Sequence, residues 1–417
     1  MRRTFLNHFK KVIITLFFYF SSLYGWDALA EFPGPERLNP SILNLEGKIY
    51  VIGGDDNIWP QYPMYDVWVY DTQSDNWEEK NTLPASLQHA WSDEQKAFFV
   101  IIDDIIYGMY RNKLHRYLPL DDNWDLFNTS FPGSIDKSPT GFSNGEKLYV
   151  GFGMWYSDGY YLGYYYLDKD IYEFDLSTST WSWFDEWNDF NAGFKISTFD
   201  GSVYVLDTFG SDDVFSIYDY SLTEKTLDLI TSIPLNYVDL IENDDGHVYY
   251  DSYVRNLGFI AMNETLHLLG GYDYNINAEV FHELHLYQND HFQYSFDDSS
   301  WTFEGGTLPT NNPDFAGRGS PSLTSTGDNL YLGFGTGNYF EDLNPDGNYS
   351  HNDLWVLNTT GQILGDINGD GITNVLDVII LGNIILNGGD YNSIGDLNFD
   401  QTLNIFDILL IVDINFN

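Results

Sequence analysis

The chain has 417 residues, no cysteine, and 62 acidic against 18 basic side chains, for a formal charge of −44 at neutral pH. This excludes disulfide stapling, thiolate metal sites and cysteine nucleophiles. A surface so acidic repels nucleic acid and anionic lipid and attracts cations.

The N-terminus opens MRRTFLNHFKK and continues VIITLFFYFSSLYG. A basic stretch before a short apolar run predicts a secretory signal peptide over 1–25, too short for a comfortable membrane span. The protein is therefore expected outside the cell or at its surface, with no transmembrane segment after cleavage. Cleavage could follow Gly25, or Ala30 in the Ala28-Leu29-Ala30 triplet. Removing 1–25 takes away Arg2, Arg3, Lys10 and Lys11, leaving 62 acids against 14 bases.

Six short β-runs then recur: KIYVIGG (48–54), KAFFVII (96–102), KLYVGFG (147–153), SVYVLDT (202–208), TLHLLGG (265–271) and NLYLGFG (329–335). Most lead to a second run ending in an aromatic, with a Trp seven residues on, as in Tyr70/Trp77, Tyr117/Trp124 and Phe174/Trp181. Short runs rich in Tyr, Val and Phe between Gly, Asn, Asp and Pro turns predict strands. Period and count predict a mainly β fold, a six-bladed propeller of four-stranded blades over 26–361. The text around DVWVYDTQSDNWEEKNTLP (66–84) resembles a kelch repeat, with Gly53-Gly54 and Gly270-Gly271 as its diglycines. Gly151-Phe152-Gly153 and Gly333-Phe334-Gly335 depart from that pattern.

The last blade ends after DLWVLN (353–358), one strand short. WDALAEFP (26–33) has the Trp-to-Pro spacing of Trp77 to Pro84, so 26–32 is expected to supply the missing strand and close the ring. Cleavage after Ala30 would remove Trp26 and most of that strand, which favours Gly25. Within this blade DLNPDGNYSHND (342–353) sets oxygen-bearing side chains at positions 1, 3, 5, 9 and 12 of a twelve-residue loop. Asp342, Asn344, Asp346, Asn348 (through its carbonyl), Ser350 and Asp353 are thus candidate calcium ligands. A polar connection in which Asp and Asn only form turns is the alternative.

Enzymatic motifs fare poorly. Gly141-Phe142-Ser143-Asn144-Gly145 matches G-x-S-x-G, but a strand follows the Ser where a nucleophile elbow needs a helix. His282 and His285 lack the i, i+4 spacing of a zinc helix. SFDDSSW (295–301) is similar to a sialidase Asp-box but has Ser299 where that motif has Gly. The long loop 154–169 carries Trp155, Tyr156, Tyr160, Tyr161 and Tyr164–Tyr166, rings that either pack between blades or offer a sugar-binding face.

The same twelve-residue spacing is written twice at the C-terminus, DINGDGITNVLD (366–377) and DLNFDQTLNIFD (396–407). Asp366, Asn368, Asp370, Asn374 and Asp377, with the Ile372 carbonyl, form one candidate Ca²⁺ site. Asp396, Asn398, Asp400, Asn404 and Asp407, with the Thr402 carbonyl, form the other. An apolar segment follows each loop. Asp at position 12, no preceding helix signal, and duplication near a secreted protein's end resemble a dockerin, a small α-helical calcium module, over 362–417. The resemblance implies a cohesin-like partner, or an envelope component. Val375-Leu376 and Ile405-Phe406 depart from the polar or small pairs frequent at these positions in dockerins, and either meet a hydrophobic groove of that partner or dock on the propeller. The expectation is a secreted calcium-binding protein whose propeller recognises carbohydrate or protein. The alternative is a carbohydrate-active enzyme, an epimerase, lyase or hydrolase, targeted by the same module.

Overall fold

The computed structural model describes residues 26–416 except 57–61, 90–95, 128, 134–137, 158–163, 168, 188–193, 208–213, 235–240, 243–247, 250–253, 256, 276–283, 288–290, 304–307, 311–314, 340–348, 360–366, 368–374, 388–394, 396 and 398–402. The expected signal peptide, 1–25, lies outside the described residues.

Five four-stranded sheets and one of five strands, the third, in which a four-stranded path carries an extra strand, form the blades in order along the chain. In the first, Ser41–Leu45, Lys48–Ile52, Val67–Asp71 and Asn76–Lys80 run from the axis outward. The innermost strands of the others are Phe98–Ile102, Ser138–Ser143, Phe194–Phe199, Gly258–Met262 and Ser322–Thr326. Each innermost strand touches the next, and the sixth returns to the first. The fold is a six-bladed β-propeller.

A blade is covered on both faces, and the sequence shows why its strands read as continuous apolar runs rather than alternating ones. In blade one Tyr50, Ile52, Val67 and Val69 pack with Ile106, Tyr117 and Trp124 of blade two. Ile49, Val51 and Tyr70 turn the other way, onto Tyr331, Phe334 and Leu354 of blade six. The Tyr–Trp spacing closes the outer hairpin: Tyr70 faces Trp77 and Tyr117 faces Trp124 across the strands, ring centroids 5.1 and 5.0 Å apart. Each tyrosine hydroxyl donates to the Asp two residues before its Trp, Asp75 at 2.7 Å and Asp122 at 2.8 Å. The diglycine is a matter of close approach. A Cβ on Gly54 would lie 2.7 Å from the Leu38 carbonyl oxygen, and one on Gly270 2.1 Å from that of Arg318. In blade six Phe334, at φ 57°, takes the first place of this pair.

Trp26–Ala28 is the outer strand of blade six, beside Leu354–Asn358. The segment after it binds both sides of the seam. The Leu29 amide donates to the Leu354 carbonyl at 3.0 Å, while the Ala30 amide donates to Asp75 at 2.9 Å. The Ala30 carbonyl accepts from the Trp77 indole at 2.8 Å. Phe32 is buried edge-on against Trp77 and Phe334, at 4.9 and 5.2 Å between centroids.

Two buried arginines recur at equivalent places. Arg37 donates to both carboxylate oxygens of Asp66, at 3.0 and 2.6 Å, and to the Gly53 carbonyl at 2.9 Å. Arg318 donates to both oxygens of Asp353, at 2.8 and 2.9 Å, and to the Phe334 carbonyl at 2.7 Å. Each clamp joins the entry to a blade's inner strand to the start of its third strand, and planar bidentate pairing suits guanidinium.

Blade five buries two histidines. The Thr265 hydroxyl donates to the Met262 carbonyl at 2.7 Å, so at 2.8 Å it accepts from His267 Nε2. His267 Nδ1 is then left to accept from His291 Nε2 at 2.9 Å. Burial, helped at His267 by the neighbouring His291, pushes the two pKa values down to about 3 and about 4. Both rings are neutral in the fold, whereas the unfolded chain takes up protons below about pH 6.5. Stability is therefore full above that pH and falls as pH drops toward the folded values, by on the order of 1 kcal/mol per histidine per pH unit. Urea unfolding between about pH 6.5 and 4.5 should show this slope flattened in His267→Asn/His291→Asn. An unaltered slope in that variant would refute it.

The second compact unit takes Asp328–Leu330 and the chain from Leu357 onward. Its two helices are α1 (Val375–Asn387) and α2 (Ile405–Phe416). Leu381, Leu397 and Ile411 form a small core with Ile367, Val378, Ile385, Leu403 and Ile408 around it. Among the described residues, no helix is long and apolar enough to cross a membrane.

Candidate functional site

The C-terminal unit shows its duplication in hydrogen bonds. Asp377 is the third residue of α1, fully buried, and its Oδ1 accepts from the Ile367 amide at 2.8 Å. Asp407 is the third residue of α2, equally buried, and its Oδ1 accepts from the Leu397 amide at 3.0 Å. Each bond ties the second position of a twelve-residue loop to its last. In the second copy the Asn404 side chain accepts from the Phe406 amide while Asp407 Oδ2 accepts from the Asn404 amide, both at 2.8 Å. Asn404 is the N-cap of α2, its side chain taking an open backbone donor of the first turn, and Asp407 at the third helical position reaches back to the N-cap amide. Loop positions 9 and 12 thus start the helix as well as close the loop.

The donor set suits a hard cation. A carboxylate oxygen that accepts one amide proton keeps a second lone pair, and Ca²⁺ takes six to eight oxygens from such loops. Asp366, Asn368, Asp370, Ile372, Asn374, Asp396, Asn398, Asp400 and Thr402 lie outside the described residues. Val375, Leu376, Ile405 and Phe406 are all exposed, from 52% to 64%. They occupy the first two positions of the two helices, with Ile379 and Leu409 exposed one turn on. The sequence made each helix apolar all round, and the excess apolar side is what remains uncovered within this unit.

The loop in blade six is different. Asp342, Asn344, Asp346 and Asn348 lie outside the described residues, but Ser350 and Asp353 do not. Ser350 pairs with Thr336 in a strand and is buried. Both Asp353 oxygens are held by Arg318, which corrects the expectation that Asp353 is a calcium ligand. A divalent cation placed on that carboxylate would meet the guanidinium's own positive charge. Asp66 fills the same place in blade one without any calcium-loop text around it, so the position belongs to the propeller. The signal was present in the sequence: Arg37-Leu38-Asn39-Pro40 before Asp66-Val67-Trp68, and Arg318-Gly319-Ser320-Pro321 before Asp353-Leu354-Trp355.

The aromatic segment of blade three is partly strand. Leu148–Ser157 extends beyond its blade and pairs with Tyr164–Leu167, with Trp155 opposite Tyr166 and Tyr156 opposite Tyr165. Ser143 of the G-x-S-x-G match ends a strand and its hydroxyl accepts from the Gly145 amide at 2.9 Å, so it shapes a hairpin turn. His282 lies outside the described residues. Asp298 of SFDDSSW accepts from the Ser300 amide and hydroxyl, again turn chemistry.

A Kelch motif model matches residues 36–84, the span that holds the first blade and its clamp. Over those residues the first blade of the propeller matches a kelch motif. The chain is similar to Kelch repeat and BTB domain-containing protein 2 of Homo sapiens and of Pongo abelii, 32% identical over 131 residues in each case. Those matches cover 30% of this chain, which spans 20% of the length of the relatives. It is also 37% identical over 62 residues to N-acetylneuraminate epimerase of Vibrio cholerae serotype O1, covering 14% of this chain and 16% of that protein. Among solved structures, the structure of YjhT superposes with a TM-score of 0.54 at 15% identity, over 79% of this chain and 97% of that one. That likeness is one of fold.

Proposed function

We propose that this is a secreted, calcium-dependent binding protein. Its kelch propeller is the recognition head for an extracellular carbohydrate or protein, and its dockerin-like module fastens it to a cohesin-like partner or to the cell envelope. The observation that carries this reading is the matched pair of closures, Ile367 to Asp377 and Leu397 to Asp407, each followed by exposed apolar residues. One duplicated unit would bind one Ca²⁺ per copy, and each ion would stabilise the loop that positions Val375 and Leu376, or Ile405 and Phe406. Contiguous apolar side chains of this size mark a protein-docking surface.

Calorimetric titration of the whole chain with Ca²⁺ is expected to find two sites, with one lost in Asp407→Asn and none lost in Asp353→Ala. Affinities near 10⁻⁴–10⁻³ M suffice for an extracellular module. No heat and no rise in the thermal midpoint at about ten times those concentrations would defeat the proposal.

The second reading, a carbohydrate-active enzyme, is favoured by the 62-residue similarity to a protein named N-acetylneuraminate epimerase. Turnover of a glycan by the purified chain would establish it, whereas saturable binding without turnover supports a recognition head.

A further inference from the structure

The axis of the propeller holds two adjoining cavities of about 400 and 330 Å³ that share Lys195, Pro321 and Leu323. In a chain with 62 acidic residues, no described residue lining either cavity is a carboxylate, and Lys195 is the one charged group. Lys195 lies on the innermost strand of blade four, Phe194–Phe199, and shares a strand face with Ser197. The Ser197 hydroxyl accepts from the Ala261 amide of blade five at 2.8 Å, so this face is the one turned toward blade five, where Gly258 and Phe259 line the cavity. Across from Lys195 the first cavity is walled by Asn39-Pro40 and Ser320-Pro321, the blade entries just beyond the two arginine clamps. Both Asn39 and Ser320 are in the left-handed region, at φ 49° and 50°.

An ammonium partly withdrawn from water, with no opposite charge among the described residues that line its cavities, is unfavourable. Desolvation accordingly pushes the Lys195 pKa down. The most economical relief is an anion that enters the cavity with its own counter-charge. We infer that the propeller axis is a binding site for a small organic monocarboxylate, whose carboxylate pairs with Lys195. A single positive group in so acidic a protein favours one negative charge over two. The apolar walls, Pro40, Pro321, Leu323 and Phe259, suit an organic body rather than an inorganic ion. The Asn39 amide and the Thr140 hydroxyl supply polar contacts, and the cavity volumes are those of small-molecule sites. The proposal rests on the propeller being a recognition head and not on the calcium module.

The test is calorimetry on the full chain with D-glucuronate, and with D-glucose as its uncharged counterpart, in two buffers of different protonation enthalpy. Glucuronate should bind with a Kd of about 1 mM or tighter and glucose at least tenfold more weakly. Binding should take up protons above neutral pH, because the incoming carboxylate raises the amine's pKa. Lys195→Met should weaken glucuronate at least tenfold, and Lys195→Arg should retain binding without proton uptake, since guanidinium stays charged. Equal binding of the two sugars, wild-type affinity in Lys195→Met, or no glucuronate binding by the unaltered chain would each overturn the site. Should Lys195→Met not fold, the sugar comparison and the proton uptake of the unaltered chain decide alone. A chain that binds two Ca²⁺ but no glucuronate removes this inference and leaves the tether intact.

Discussion

Asp353→Ala is expected to destabilise the propeller by about 3–5 kcal/mol, because it leaves the Arg318 guanidinium buried without its partner. Burial by itself would raise the Asp353 pKa, but the adjacent Arg318 outweighs it and holds the carboxyl below its usual range. A carboxylate depressed in this way stabilises the fold above its unfolded pKa, ordinarily 3.8, and loses that contribution as pH falls through the folded value. The clamp is thus intact at neutral pH and weakens only in strong acid. Asp66→Ala should cost less, since the Asp66 side chain is 18% exposed against 4% for Asp353, and water can replace part of the lost pairing. Arg318→Met with Asp353→Leu should recover much of the loss by removing both charges together. Equilibrium urea unfolding measures all three. A loss under about 1 kcal/mol in Asp353→Ala would contradict the clamp, as would a fall in Ca²⁺ stoichiometry in that variant.

A chain beginning at Glu31 should unfold at distinctly lower denaturant than one beginning at Trp26. Losing Trp26, which is 3% exposed beside the His291 ring, costs about 3–5 kcal/mol by itself. Losing Leu29 and Ala30 also opens the bonds to Leu354, Asp75 and Trp77 on the two sides of the seam. Phe32→Ala should approach the same loss within the longer chain, because its ring fills the space between Trp68, Trp77 and Phe334. Equal midpoints for the two chains would show that the ring does not depend on its closing strand. The start of the mature chain, read by N-terminal sequencing, is expected at Trp26 for the same reason.

The blade count was legible because the information is local. A short apolar run, an Asp–Asn turn and an aromatic pair seven residues apart specify one hairpin wherever it lies, and six copies specify the ring. The closing strand was legible too, since Trp26 to Pro33 repeats the spacing of Trp77 to Pro84. Asp353 was misread because the spacing of oxygen-bearing residues describes what a loop could hold, whereas its partner Arg318 stands 35 positions away. The aromatic segment after Gly153 looked like a long loop because its strand pairing comes from a local arm, Trp155 with Tyr166, outside the four-stranded repeat.

By itself, then, the sequence determined the repeats: six hairpin-rich blades, an outer strand returned from the N-terminus, and a loop-plus-helix unit written twice. These follow from periodicity, turn residues and caps, which act over fewer than about a dozen positions. Only the tertiary structure decided which charges are spent on the fold and which are left to bind. Asp353 and Asp66 face arginines that other strands deliver, and His267 meets His291 across a blade. Lys195 alone, brought to the axis by the closing of the ring, has no carboxylate among the described residues that line its cavities. Burial and pairing depend on neighbours distant in the chain, and no local pattern records them.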